Sequence, residues 1–155
     1  MNWGTTQAGS TMVELISMMT LAGFAMASVA PALSSLEGAA FEAKIDGAIS
    51  AVHSANYQAH ASWLLASAQH RNASHVQMEN IDIAMIQGWI DSTNIAIAAG
   101  IDCANYGCYY SQDVVTFTAT TEPEENTPCF LYSVQNHKYN VSTRLTWNIN
   151  TQLCD

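Results

Sequence analysis

Basic charge is scarce in this chain. Lys and Arg total 4 against 13 Asp and Glu, a net charge of −9 over 155 residues. Nucleic-acid affinity is dominated by basic side chains that neutralise phosphates, so no nucleic acid is expected as a partner. Anionic lipid is disfavoured for the same reason. Charged residues of either sign make up only 11% of the chain. The surface must therefore be polar through Ser, Thr and Asn, as in a secreted or surface protein. Proline is confined to Pro31, Pro123 and Pro128, so nothing of that kind interrupts a helix running on from Pro31. The chain has no G-x-S-x-G, no Gly-rich phosphate loop and no C-x-x-C pair. The signatures of a nucleophile elbow, a phosphate cradle and a structural zinc site are thus missing. His53 and His60 lie seven apart, not at the i,i+4 spacing of a helical metal pair, and read as packed or solvated histidines. No enzyme activity, cofactor or metal is expected. Internal repeats and low-complexity tracts are absent too.

Cysteine is present, but only in the last third: Cys103, Cys108, Cys129 and Cys154. An even count in one extracytoplasmic-looking region predicts two disulfides. Three pairings are open. Cys103 with Cys108 would close a tight loop around Ala104-Asn105-Tyr106-Gly107, and Cys129 with Cys154 would tie the end of the chain back to a strand. Trp63, Trp89, Trp147 and the group Tyr106, Tyr109 and Tyr110 form either a binding platform or ordinary packing. Asn72-Ala73-Ser74 and Asn140-Val141-Ser142 fit the N-glycosylation pattern.

Apolar positions Leu33, Leu36, Ala40, Ile45, Ile49, Val52, Ala59 and Trp63 recur at helical spacings, with Glu37, Glu42 and Asp46 off that stripe. A helix over residues 10–67 would be roughly 85 Å long at 1.5 Å per residue. That exceeds the diameter of a small domain, so half of it is expected to protrude into lipid or among other subunits. Residues 66–74 read as a turn or loop. Residues 81–86 read as a strand, and residues 88–100 as irregular or briefly helical. Residues 113–120, 129–134 and 141–149 read as antiparallel strands separated by turns. A helix followed by strands predicts an α+β fold.

The most informative stretch is near the start. Residues 15–36 carry no charge over 22 positions, enough to cross a ~30 Å hydrocarbon core. Glu14 stands immediately before them. An unpaired carboxylate near hydrocarbon costs at least ~2.5–3.5 kcal/mol. No Lys or Arg precedes Lys44. The α-amino group of a chain cut just before Ser10 would supply the missing positive charge. A secretory signal, cut near Ala25-Met26-Ala27, is a rival reading; it would need a shorter apolar region with basic residues in front.

Gly9-Ser10-Thr11-Met12-Val13-Glu14-Leu15 followed by an apolar helix containing Pro31 resembles the N-terminus of a type IV prepilin. Two features depart from the family pattern. The new N-terminus is usually Phe or Met, and here it is Ser10. The leader usually carries Lys or Arg, and residues 1–9 have neither. Ser35-Leu36-Glu37-Gly38-Ala39-Ala40 and Ile83-Ala84-Met85-Ile86-Gln87-Gly88-Trp89 are similar to mannose-sensitive haemagglutinin-type pilins, although Gly88-Trp89-Ile90 replaces their Gly-Tyr-Pro.

The resemblance implies a leader over residues 1–9, an apolar transmembrane and filament-core helix over 10–36, and a globular head over 37–155. In that head the second half of the helix packs on an antiparallel sheet, and the C-terminal region is disulfide-bounded. It implies a prepilin peptidase cutting between Gly9 and Ser10 and methylation of the Ser10 amine. Glu14 and Pro31 would serve assembly and registration. Expected partners are other copies of the chain in a helical polymer, the peptidase, and the assembly machinery of the bacterial inner membrane. The subunit would leave that membrane for a pilus at the cell surface, used for adhesion or motility. A minor pilin, a type II secretion pseudopilin, or a single-span membrane-anchored binding domain are the alternatives.

Overall fold

Ala, Ile and Val recur every three or four residues, and no proline follows Pro31 for some ninety positions; the result is helix α1, Met12–Gln69. The computed structural model describes residues 12–69, 74–111 and 113–155, with α1 side chains described over residues 36–66. Backbone contacts divide the chain into two units, Met1–Ala39 and Ala40–Asp155. What is described of the first unit is almost wholly helical backbone. Among the described residues no helix is long and apolar enough to cross a membrane. The charge-free run over 15–36 lies outside the described side chains, apart from Leu36.

The second unit is α+β. After α1 come β1 (His75–Met78), β2 (Ile81–Ile86), β3 (Trp89–Ile90), the one-turn helix α2 (Ile95–Ala98), β4 (Gly107–Ser111), β5 (Val114–Thr118), β6 (Pro128–Gln135), β7 (Lys138–Asn148) and β8 (Leu153–Cys154). They form a three-stranded sheet, β1-β2-β3, and a five-stranded meander, β4-β5-β6-β7-β8, with every pairing antiparallel. Three hairpins share one device. Glu79-Asn80, Gln87-Gly88 and Asn136-His137 each connect paired strands with positive φ at both positions, the sign pattern of a type I′ turn. Such turns match the right-handed twist of the strands they join.

Ile45, Ala48, Val52, Ala55 and Ala59 form the buried face of α1. This corrects the expected stripe at its start and adds to its middle. Leu36 is 63% exposed and Ala40 is exposed, while Ala48, Ala55 and Asn56 are buried. Residues 66–69 are the last turn of α1, where a loop was expected. Ile83, Ile90, Ile95, Val115, Phe117, Phe130 and Tyr132 fill the core beneath that face. Phe117 and Phe130 are cross-strand partners with ring centroids 4.9 Å apart. Such pairs add about 0.5–1.5 kcal/mol beyond the area they bury.

Strands β5, β6 and β7 lie where β-branched and aromatic residues cluster. Strands β1, β3, β4 and β8 were not expected. Each is short, and β8 (Leu-Cys) draws its order from its β7 neighbour rather than from propensity.

Candidate functional site

Gly9 and Ser10 lie outside the described residues. Glu14 and Pro31 fall on the helical backbone of α1, with their side chains outside the described set. The four cysteines are joined as Cys103–Cys108 and Cys129–Cys154, so both disulfides are present. Among the described residues no group of His, Cys, Asp and Glu could hold a metal.

The Cys129–Cys154 bridge joins β6 to β8 and is covered by Trp147, with Leu131 and Leu145 against it. Backbone bonds reinforce it. Trp147 N–H donates to Thr127 O at 2.9 Å, and Thr146 and Asp155 exchange both bonds at 3.0 Å. Between Cys129 and Leu131 the β6–β7 register shifts, and Arg144 takes a positive φ of 60°. This bulge lets β7 bend, so that its end serves both β8 and the 126–127 segment. An open groove of about 500 Å³ runs beside it, lined by Glu42, Asp46, Asn126 and Arg144 among others.

The aromatic residues separate into three groups. His60 is stacked on Trp89 at 4.2 Å and on Trp63 at 5.8 Å, and its Nδ1–H donates to Gly88 O at 2.7 Å. Trp89 leans on Tyr139, whose hydroxyl lies 2.9 Å from His53 Nδ1 and whose ring meets Tyr57 edge-on. Burial first, then the Tyr57 hydroxyl, push the Tyr139 pKa up to about 12. Tyr109 stacks on Trp147 at 4.8 Å, and Tyr106 lies under Lys44. The aromatic residues singled out from sequence are therefore not one platform. His53, Tyr57, His60 and Tyr139, which knit the first group together, were missed as a set. Their signal was the helical spacing of His53, Tyr57 and His60 on one side of α1.

Lys44 anchors the other end of the head. Its Nζ donates to Asn105 O and to Ala119 O, both at 2.6 Å, and sits 4.2 Å above the Tyr106 ring. Tyr106 in turn donates to Lys44 O at 3.4 Å. One lysine thus joins α1 to the Cys103–Cys108 loop and to the end of β5. These sites tie segments together: among the described residues no buried side-chain polar atom lacks a partner.

No family model, curated protein or solved structure matches this chain. Its functional reading therefore rests on its own residues and geometry.

Proposed function

We propose that this chain is the structural subunit of a type IV pilus-like filament. The observation that carries the reading is Glu14, a lone carboxylate four residues after Ser10 at the head of the charge-free run over 15–36. Cleavage after Gly9 frees an α-amine four residues before that carboxylate. In the inner membrane the apolar segment spans the bilayer. On assembly, packing between helices replaces packing against lipid, and the Ser10 amine of one subunit pairs with Glu14 of a neighbour. One charge without the other is costly in a low-dielectric core, so the pairing sets the register. Two features of the fold support this reading. Helix α1 includes Glu14 and Pro31, and its later residues are built into an α+β head closed by disulfides.

The test is filament recovery with N-terminal sequencing. Sheared surface material is expected to contain this chain beginning at N-methylated Ser10, and Glu14→Ala is expected to leave a folded, membrane-inserted subunit with little filament. Filaments that retain Met1, or normal filament yield from Glu14→Ala, overturn the proposal. Recovery of the chain only as a membrane-anchored monomer favours a single-span binding domain.

A further inference from the structure

The two disulfides differ in how far they are open to reagents and in how much the surrounding structure depends on them. Cys129 is 1% exposed and Cys154 6%, under Trp147. Cys103 is exposed, while Cys108 is half-buried against the core and paired in β4 with Phe117. Thiol–disulfide exchange needs an attacking thiolate to reach one sulfur while the other departs, so access selects which bridge reacts and at which atom.

The loop that carries Cys103 is built without the bridge. Asp102 Oδ1 accepts from Ala104 N–H at 2.9 Å, and Asp102 Oδ2 accepts from Asn105 Nδ2 at 2.8 Å. The backbone carbonyl of Asp102 accepts from Asn105 N–H at 2.9 Å and from Tyr106 N–H at 3.0 Å. Lys44 fixes Asn105 O from the helix side and covers Tyr106. On the far side, Gly107 and Cys108 are locked into the β4–β5 ladder. Gly107 has no room for a side chain, since a Cβ there would stand 2.7 Å from Thr120 O. With both flanks held independently, opening the bridge leaves the two sulfurs close together and free to re-form it.

We propose that Cys103–Cys108 is a reversible thiol-exchange site that takes small dithiols and thiols at Cys103. The reagent thiolate attacks Cys103 Sγ and forms a new S–S bond. The Cys103–Cys108 bond breaks, and Cys108 leaves as a thiolate that takes a proton from water. The second thiol of a dithiol then attacks the reagent sulfur, releasing the Cys103 thiol and closing the reagent as its own disulfide. Two electrons and two protons pass from the dithiol to the cysteine pair. A monothiol disulfide reverses the sequence through the same mixed disulfide. Cys129–Cys154 stands aside under native conditions, because its sulfurs are reached only when Trp147 and β8 move.

The test is reduction of the folded full-length chain with increasing dithiothreitol, quenched with iodoacetamide and read by peptide mass mapping beside far-ultraviolet circular dichroism. Cys103 and Cys108 are expected to be alkylated at least about tenfold faster than Cys129 and Cys154, with the dichroism unchanged. Simultaneous opening of both bridges, earlier opening of Cys129–Cys154, or loss of secondary structure along with the Cys103–Cys108 reduction overturns the proposal. The site of attack is read with single variants and oxidised glutathione. Cys108→Ser, which leaves the Cys103 thiol, is expected to form the mixed disulfide several-fold faster than Cys103→Ser. Equal rates, or the reverse order, refute attack at Cys103. The wild-type reduction decides the exchange site by itself if either variant fails to fold.

Discussion

Tyr132 shows how much a single buried atom can hold. Its hydroxyl lies 2.9 Å from Asn56 Oδ1 and 2.6 Å from Ile90 O, so one proton serves two buried acceptors. Asn56 is itself fixed by a 2.9 Å bond from its Nδ2 to Val52 O. Tyr132→Phe keeps the ring and strands both oxygens. We expect a loss of about 1–3 kcal/mol, read as a lower urea midpoint at unchanged slope. Two glycines separate in the opposite sense. Gly47 lies on the exposed side of α1, where a Cβ would meet nothing within 4 Å, so Gly47→Ala should stabilise by about 0.5–1 kcal/mol. Gly107→Ala drives a Cβ against the Thr120 carbonyl and should sharply lower the yield of folded protein. Thermal melts of the two variants check both directions. None of this was readable in advance. Tyr132 meets Asn56 across 76 positions, and Lys44 meets Asn105 and Ala119 across 61 and 75, with no local pattern to announce the meeting.

Among the elements, those with strong periodicity were readable, and those ordered by their neighbours were not. Val115, Phe117, Phe130, Tyr132 and Val134 alternate inward along β5 and β6, which the β-rich sequence there predicted. Strand β1 buries only Val76 fully and owes its place to β2. The helix stripe was right at Ile45, Val52 and Ala59 but left out Ala48 and Ala55, because alanines off the Leu and Ile positions give too little contrast to mark a buried face. Hairpin tips also join the two sheets. His137 N–H donates to Gln87 Oε1 at 2.7 Å, and the Trp89 indole N–H donates to His137 O at 2.9 Å. His137 makes both contacts through its backbone while holding a φ of 61° that a side chain disfavours. His137→Gly should keep the clasp and raise stability by up to about 1 kcal/mol, measured by chemical denaturation. Lower stability in that variant would mean that the imidazole, not the backbone, holds the joint.

For the molecule as a whole, the sign of its pH response follows from its tyrosines. Burial raises the pKa values of Tyr109, Tyr132 and Tyr139, with Glu122 adding to the first and Tyr57 to the last. An unfolded tyrosine releases its proton near pH 10, and Tyr139 in the fold near pH 12. Between those values the unfolded chain binds fewer protons, so stability is complete below pH 10 and falls as pH rises towards 12. Loss of the circular dichroism signal within that window should be accompanied by a further rise in phenolate absorbance. Titration of all six tyrosines near pH 10 with the fold intact would contradict it. The proposed function rests on the other end of the chain. The Gly9–Glu14 spacing and the charge-free run carry the filament reading, while the head offers packing, clasps and bridges that would suit many roles.

The tether at Lys44 has a practical corollary. The chain's two lysines are Lys44 and Lys138. The amine of Lys44 is held by two carbonyls against a ring, whereas Lys138 is exposed just past the Asn136-His137 turn. Of the side-chain amines, an acylating dye used sparingly will find Lys138 first. Among the lysines, chemistry on the unmodified chain therefore favours a reporter beside the joint between the sheets.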